Sequence, residues 1–214
     1  MIARRAVLLI LGLVTGTGCT PRLAPLVNAT PVPLTQPLPS IQLPRRNQRI
    51  VFNWRLQEAE LEVHGDGAAR IAAPDSARID LFVAGGLGSG AAWVIGDQMR
   101  LDAPDALKRV LPPPAFLWAA LGRFSIPGGR DTVVARSDGA LTAEIGPSPR
   151  WRLAIRGDQI TRLERADGEK LIDRLERKGD GSLVYFHAPT RRQLTLTITR
   201  VDSVATFDAS IWTP

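Results

Sequence analysis

From Ile50 onward the chain alternates apolar and polar positions. Phe52, Trp54 and Leu56 are separated by Asn53 and Arg55, and Ala59, Leu61 and Val63 interleave with Glu58, Glu60 and Glu62. The same rhythm returns at Ile79-Leu81-Val83, Leu141-Ala143-Ile145, Trp151-Leu153-Ile155 and Leu194-Leu196-Ile198. Successive side chains of a strand point to opposite faces, so each run predicts a strand with one buried and one wet face. Turn residues punctuate the runs at Gly65-Asp66-Gly67, Pro74-Asp75, Gly96-Asp97, Pro127-Gly128-Gly129, Asp138-Gly139, Gly157-Asp158, Asp167-Gly168 and Gly179-Asp180-Gly181. Roughly ten or eleven antiparallel strands in meander order are expected from such spacing.

One stretch breaks the rhythm. LPPPAFLWAALGRF (Leu111–Phe124) opens with three prolines and continues greasy on nearly every side. Helices are predicted over Asp105–Val110 and Pro114–Leu121, with Asp105 as an N-cap, proline in a first turn and Gly122 as a C-cap. Phe116, Leu117, Trp118 and Leu121 cover almost the whole circumference of the second helix, and a helix apolar all round is buried. One apolar sheet face also needs a cover. The predicted fold is therefore mainly β: the sheet can form a sandwich, close into a barrel or curl around something, and the economical arrangement is a single curled antiparallel sheet with the short apolar helical insertion inside its curl as plug or lid.

Ahead of this body lies a leader. Arg4 and Arg5 form a positive region, Ala6–Val14 an apolar run too short to span a bilayer, and Thr15–Gly18 a small-residue cleavage region before Cys19. The arrangement resembles a bacterial lipoprotein signal, which implies removal of residues 1–18 and a diacylglycerol on Cys19. Position 16 is Gly, where such signals usually carry Leu. Residues 19–49 then form the lipidated N-terminus and a proline-rich tether, and 50–214 the β domain. The leucines and valines of the tether predict that part of it lies across the domain. With Thr20 after the cysteine, the expected location is the cell envelope, anchored at the outer membrane and facing the periplasm.

Charge and candidate chemistry narrow the function classes. The net charge is +6, yet six of the 27 basic residues precede Ile50, where no acid occurs. The remaining 21 balance the 21 acids, so no basic surface for nucleic acid is expected. Gly85-Gly86-Leu87-Gly88-Ser89-Gly90 precedes Ala91-Ala92-Trp93-Val94-Ile95, a strand pattern, so it reads as a hairpin connection and not a phosphate loop. Glu58, Glu60 and Glu62, spaced by two, read as one solvated face, with a Ca²⁺ site the sharper alternative. His64 and His187 are the two histidines, and no motif joins either to a nucleophile. The mixed charges between Arg162 and Lys178 suggest salt-bridged strand faces. No catalytic residue, metal or cofactor is expected.

The curled sheet, the helical insertion at its middle, the Trp54-bearing first strand and the lipoprotein-like leader together resemble the LolA/LolB superfamily. Within it the chain is most similar to LolB-like lipoproteins, through SARIDLF (Ser76–Phe82) and LPPPAFLWAALG (Leu111–Gly122). The resemblance covers about residues 50–210 and is one of organisation. It implies a half-open β-barrel with a helical lid that binds lipoprotein acyl chains. The expected partners are the membrane, through lipid on Cys19, and a hydrophobic ligand or acyl chain. The alternative is a structural or assembly lipoprotein with a packed barrel that docks an envelope protein. Candidate cavity residues are Trp54, Leu61, Leu81, Trp93, Phe116, Trp118, Leu121, Trp151, Leu153 and Leu196, because apolar linings with few polar groups suit acyl chains.

Overall fold

A computed structural model describes residues 21–26, 30–31, 38, 41–124, 132–137, 139–146 and 148–213. The leader, Cys19, Pro127-Gly128-Gly129 and Asp138 lie outside the described residues. Among those described, thirteen strands and two α-helices follow in chain order: β1 (Thr30–Pro31), β2 (Asn47–Glu58), β3 (Leu61–Ala72), β4 (Ser76–Val83), β5 (Ser89–Ile95), β6 (Gln98–Asp102), α1 (Asp105–Lys108), α2 (Pro114–Leu121), β7 (Thr132–Ser137), β8 (Ala140–Ile145), β9 (Arg150–Arg156), β10 (Gln159–Asp167), β11 (Lys170–Arg177), β12 (Leu183–His187) and β13 (Arg192–Val204). The two predicted helices form, and Gly122 ends α2 with φ +90°, a left-handed conformation that glycine adopts without strain. Asp105 is the first residue of α1, not its cap, and its carboxylate accepts from Lys108 Nζ at 2.8 Å.

All strands join one antiparallel sheet in the order β1-β7-β8-β9-β10-β11-β12-β13-β2-β3-β4-β5-β6, open between β1 and β6. The expected meander is thus cut in the middle of the chain. The insertion carrying α1 and α2 leaves one edge, at β6, and the chain resumes near the other, at β7. β2 and β13, distant in sequence, meet at the centre. Their register sets Leu194 opposite Leu56, Leu196 opposite Trp54 and Ile198 opposite Phe52, which continues one apolar face across the join.

The turn expected at Gly65-Asp66-Gly67 is not there. The hairpin falls earlier, at Ala59-Glu60, and Gly65 and Gly67 are strand residues of β3 opposite Trp54 and Phe52. A Cβ on Gly67 would lie 2.4 Å from the Phe52 ring, and one on Gly65 only 1.9 Å from the Phe82 carbonyl oxygen. These glycines make room on the concave face. Overpacking typically costs about 1–3 kcal/mol, and the contact with rigid backbone puts Gly65→Ala at the upper end. Its urea midpoint is expected to fall accordingly, and an unchanged midpoint would refute the close approach. The early hairpin also splits the three glutamates. Glu58 ends β2, Glu60 lies in the turn and Glu62 sits on β3 beside Arg55, so they share no face. Leu61 loses its expected place for the same reason: the turn resets the alternation and leaves it 54% exposed.

The core fills the concave side. Its members include Phe52, Trp54, Ile79, Leu153, Leu163 and Tyr185 from the sheet, with Phe116, Leu117 and Trp118 from α2. Pieces of the proline-rich segment join the fold. Ile41 and Leu43 are buried in the main core, and Thr30–Pro31 pair with β7. Leu23 is buried against Ala166 and Leu171, its N–H donating to Glu169 O at 2.9 Å. Across the outer face, Arg162 pairs with Glu176 at 3.0 Å and Lys178 with the same carboxylate at 2.9 Å, as the mixed charges suggested.

Candidate functional site

Helix α2 lies against the concave face without any strand-like backbone pairing to it. Phe116 packs between Trp151 and Tyr185, at ring-centre distances of 5.6 and 5.5 Å. Trp118 Nε1 donates to Gly96 O in the β5–β6 turn at 2.6 Å. In the last turn of the helix an Arg177 guanidinium N–H donates to Ala120 O at 3.4 Å, and just beyond it Phe124 N–H donates to Ile41 O at 3.0 Å. Prolines 112–114 enter the helix and Gly122 leaves it, so stiff and permissive backbone bracket the segment.

Between α2 and the sheet lies a cavity of about 40 Å³. Ile50 and Phe52 of β2, Ala69 of β3, Ile79 and Leu81 of β4, Leu183 of β12 and Leu194, Leu196 and Ile198 of β13 form its sheet wall. Val110, Leu111, Pro112, Leu117, Ala120 and Leu121 form the other wall. No lining residue carries a polar side chain. The volume is small beside the ~150 Å³ that accommodates a benzene-sized guest and the ~300 Å³ at which ligand pockets begin. An acyl chain therefore fits only once the helical wall moves outward.

The ten sequence-predicted residues divide into groups. Leu81, Leu121 and Leu196 line the cavity. Trp54, Phe116, Trp118, Trp151 and Leu153 are buried on the concave side but outside its lining. Trp93 is on the opposite face: its register partner is Arg78, whose guanidinium stacks on the indole at 5.0 Å, and Nε1 donates to Ile211 O at 2.8 Å. It belongs to the alternate phase from Ala92 and Val94, and the C-terminal turn covers it. Leu61, at the hairpin, is outside the cavity altogether. The other twelve lining residues were missed, Ile50, Phe52, Leu183 and Ile198 among them, although Phe52 shares the phase of Trp54 and Ile198 that of Leu196. Following phase along each strand, not aromatic size, was the signal that finds them.

Two further features stand out. On the concave face Asp173 is 0% exposed and collects three partners: Tyr185 Oη donates to Oδ1 at 2.6 Å, His187 Nδ1 lies 2.8 Å from the same oxygen, and Arg165 Nε donates to Oδ2 at 2.8 Å. Burial first, then the Asp173 carboxylate, pushes the Tyr185 phenol well above its ordinary range. A phenol held protonated is a poor nucleophile, and the arrangement is a closed structural network. The second feature is Leu87, 83% exposed on the glycine-rich loop between β4 and β5, which Val83 N–H closes onto Gly88 O at 2.9 Å. Phe82 and Leu61, also exposed, stand at the same end of the sheet. The β5–β6 turn that holds Trp118 is at the opposite end.

No protein-family model and no curated protein matches the sequence. Solved structures do match the fold. An outer membrane lipoprotein-sorting protein domain from Vibrio parahaemolyticus superposes with a TM-score of 0.54 at 8% identity, over 79% of this chain and 90% of the other. A LolA superfamily protein from Nitrosomonas europaea gives 0.54 at 10% identity, over 81% and 93%. A DUF1329 family protein from Desulfovibrio piger gives 0.50 at 10%, over 78% and 90%. With its open curled sheet and the helix on the concave side, this chain has the fold of the LolA superfamily.

Proposed function

We propose that this is an envelope lipoprotein, anchored through Cys19, that binds or hands over a hydrophobic molecule between its curled sheet and α2. The molecule is a lipid or the acyl chain of a lipoprotein, and no catalytic step is involved. The observation that carries this reading is the entirely apolar cavity under a helix attached to the sheet by side chains and a few hydrogen bonds. Burial of apolar area contributes ~25 cal/mol per Å², so affinity for an acyl chain needs no special chemistry. Outward movement of α2 about its proline and glycine ends opens the space. Leu87 supports a membrane setting, since an uncharged loop with an exposed leucine at its tip matches a bilayer better than water.

The small volume favours a second reading, a packed barrel that docks an envelope protein. Lipid uptake separates the two. The chain from Thr20 to Pro214 keeps every described residue, including Ile41 and Leu43 in the core, and is the right sample for native mass spectrometry. On incubation with a dipalmitoylated lipopeptide or with phospholipid vesicles it is expected to acquire one lipid. Ala69→Phe, which fills the cavity from β3, is expected to abolish uptake while the fold persists. A wild-type chain that stays apo with every lipid refutes the carrier reading and favours the packed barrel.

A further inference from the structure

The apolar cavity has a charged neighbour with unmet needs. Arg177 is the last residue of β11 and faces Leu183, which lines the cavity, across the strand pair. Among the described residues its hydrogen bond goes to Ala120 O, and Ala120 also lines the cavity. The guanidinium is half-buried, its Nε is buried with no partner, and among the described residues no carboxylate lies within ion-pair distance. The adjacent Glu176 is committed on the other face to Arg162 and Lys178. A guanidinium does not relieve burial by losing its proton, so it stays charged with its Nε side shielded from water, where an anion is favoured. Burial alone lowers its pKa, with no neighbouring acid opposing that shift.

We propose that Arg177 binds the head group of an anionic amphiphile, a carboxylate or phosphate, whose acyl chain occupies the cavity. This rests on the carrier reading and sharpens it. The acyl chains of a lipoprotein end in uncharged esters and amides, so a head-group arginine selects free anionic lipid over lipoprotein cargo. Arg177 also bonds the last turn of α2, and an arriving anion competes for the guanidinium with Ala120 O. Head-group capture and loosening of the helix are therefore coupled at one side chain.

The test compares palmitate, hexadecanol and lysophosphatidate by displacement of a fluorescent apolar probe from the Thr20–Pro214 chain. A charge-assisted hydrogen bond makes wild-type palmitate binding roughly ten- to a hundredfold tighter than hexadecanol binding. Arg177→Gln is expected to erase that ratio, whatever the loss of its bond to α2 does to the affinity for both ligands, and Arg177→Lys to keep part of it. Lysophosphatidate binding more tightly than palmitate, with the same dependence on Arg177, identifies a phospholipid source; the reverse order identifies a fatty acid. Equal binding of palmitate and hexadecanol by wild type overturns the assignment and leaves the carrier reading standing. Binding of none of the three overturns both. The wild-type ratio needs no variant, so the test survives misfolding of Arg177→Gln.

Discussion

Trp118→Ala is expected to remove about 3–5 kcal/mol of folding stability. The indole is fully buried, the largest side chain that α2 places in the core, and its loss leaves a cavity that rigid strands cannot collapse to fill. It also strips Gly96 O of its donor. Trp118→Phe separates the two contributions, because it keeps most of the volume and loses the hydrogen bond, worth about 1 kcal/mol. Urea unfolding followed by circular dichroism reads both, with an unchanged slope showing that the same surface is exposed. A loss below ~1 kcal/mol for Trp118→Ala would mean that α2 does not plug the sheet. The size of the effect also bears on function. On the carrier reading proposed above, the helix must be held firmly enough to exclude water when empty, yet by contacts that an acyl chain can replace.

Asp173→Ala is expected to cost a comparable ~3–5 kcal/mol, by a different mechanism. The carboxylate is the common acceptor for Arg165, Tyr185 and His187, and its removal takes the acceptor from the buried Tyr185 phenol and the carboxylate partner from the partly exposed Arg165 guanidinium. Asp173→Asn keeps the shape but loses the charge, and is expected to recover only part of the loss. The network also sets an alkaline limit. The folded Tyr185 pKa is raised, so its stabilising contribution is whole below about pH 10 and declines as pH climbs toward the folded value. Tyr185 is the chain's one tyrosine, so phenolate absorbance reports this group alone. In wild type the absorbance should rise only at strongly alkaline pH, together with unfolding. In Asp173→Asn it should rise earlier, while burial still holds it above a free phenol. An ordinary phenol titration in folded wild type would disprove the network.

Much of the local structure was legible in the residues. Period-two alternation locates about half of the strands because burial on one face selects apolar residues at every second position, and this needs no knowledge of the partner strand. The prolines and Gly122 bracket α2 because their backbone preferences are intrinsic, and its uniform apolarity announces burial. Glycine is the ambiguous letter. At Gly96 and Gly157 it makes a turn, whereas at Gly65 and Gly67 it clears space for Trp54 and Phe52 inside a strand. Only the cross-strand neighbour distinguishes the two cases.

By itself, then, the sequence determined the class of fold, the place of about half of the strands, the apolar helix at the middle and the neutrality of the body. Tertiary structure decided which distant segments meet. Pairing of β2 with β13 brings Phe52 and Ile198 into one wall, the insertion lays Leu117 and Leu121 opposite them, and the strand end at Arg177 arrives beside Ala120. The reason is the range of the forces. Backbone preference and alternation act over a few residues and are written in the chain locally, while register between strands more than a hundred residues apart follows from how the whole apolar face packs. The cavity and the half-buried arginine beside it exist only at that level.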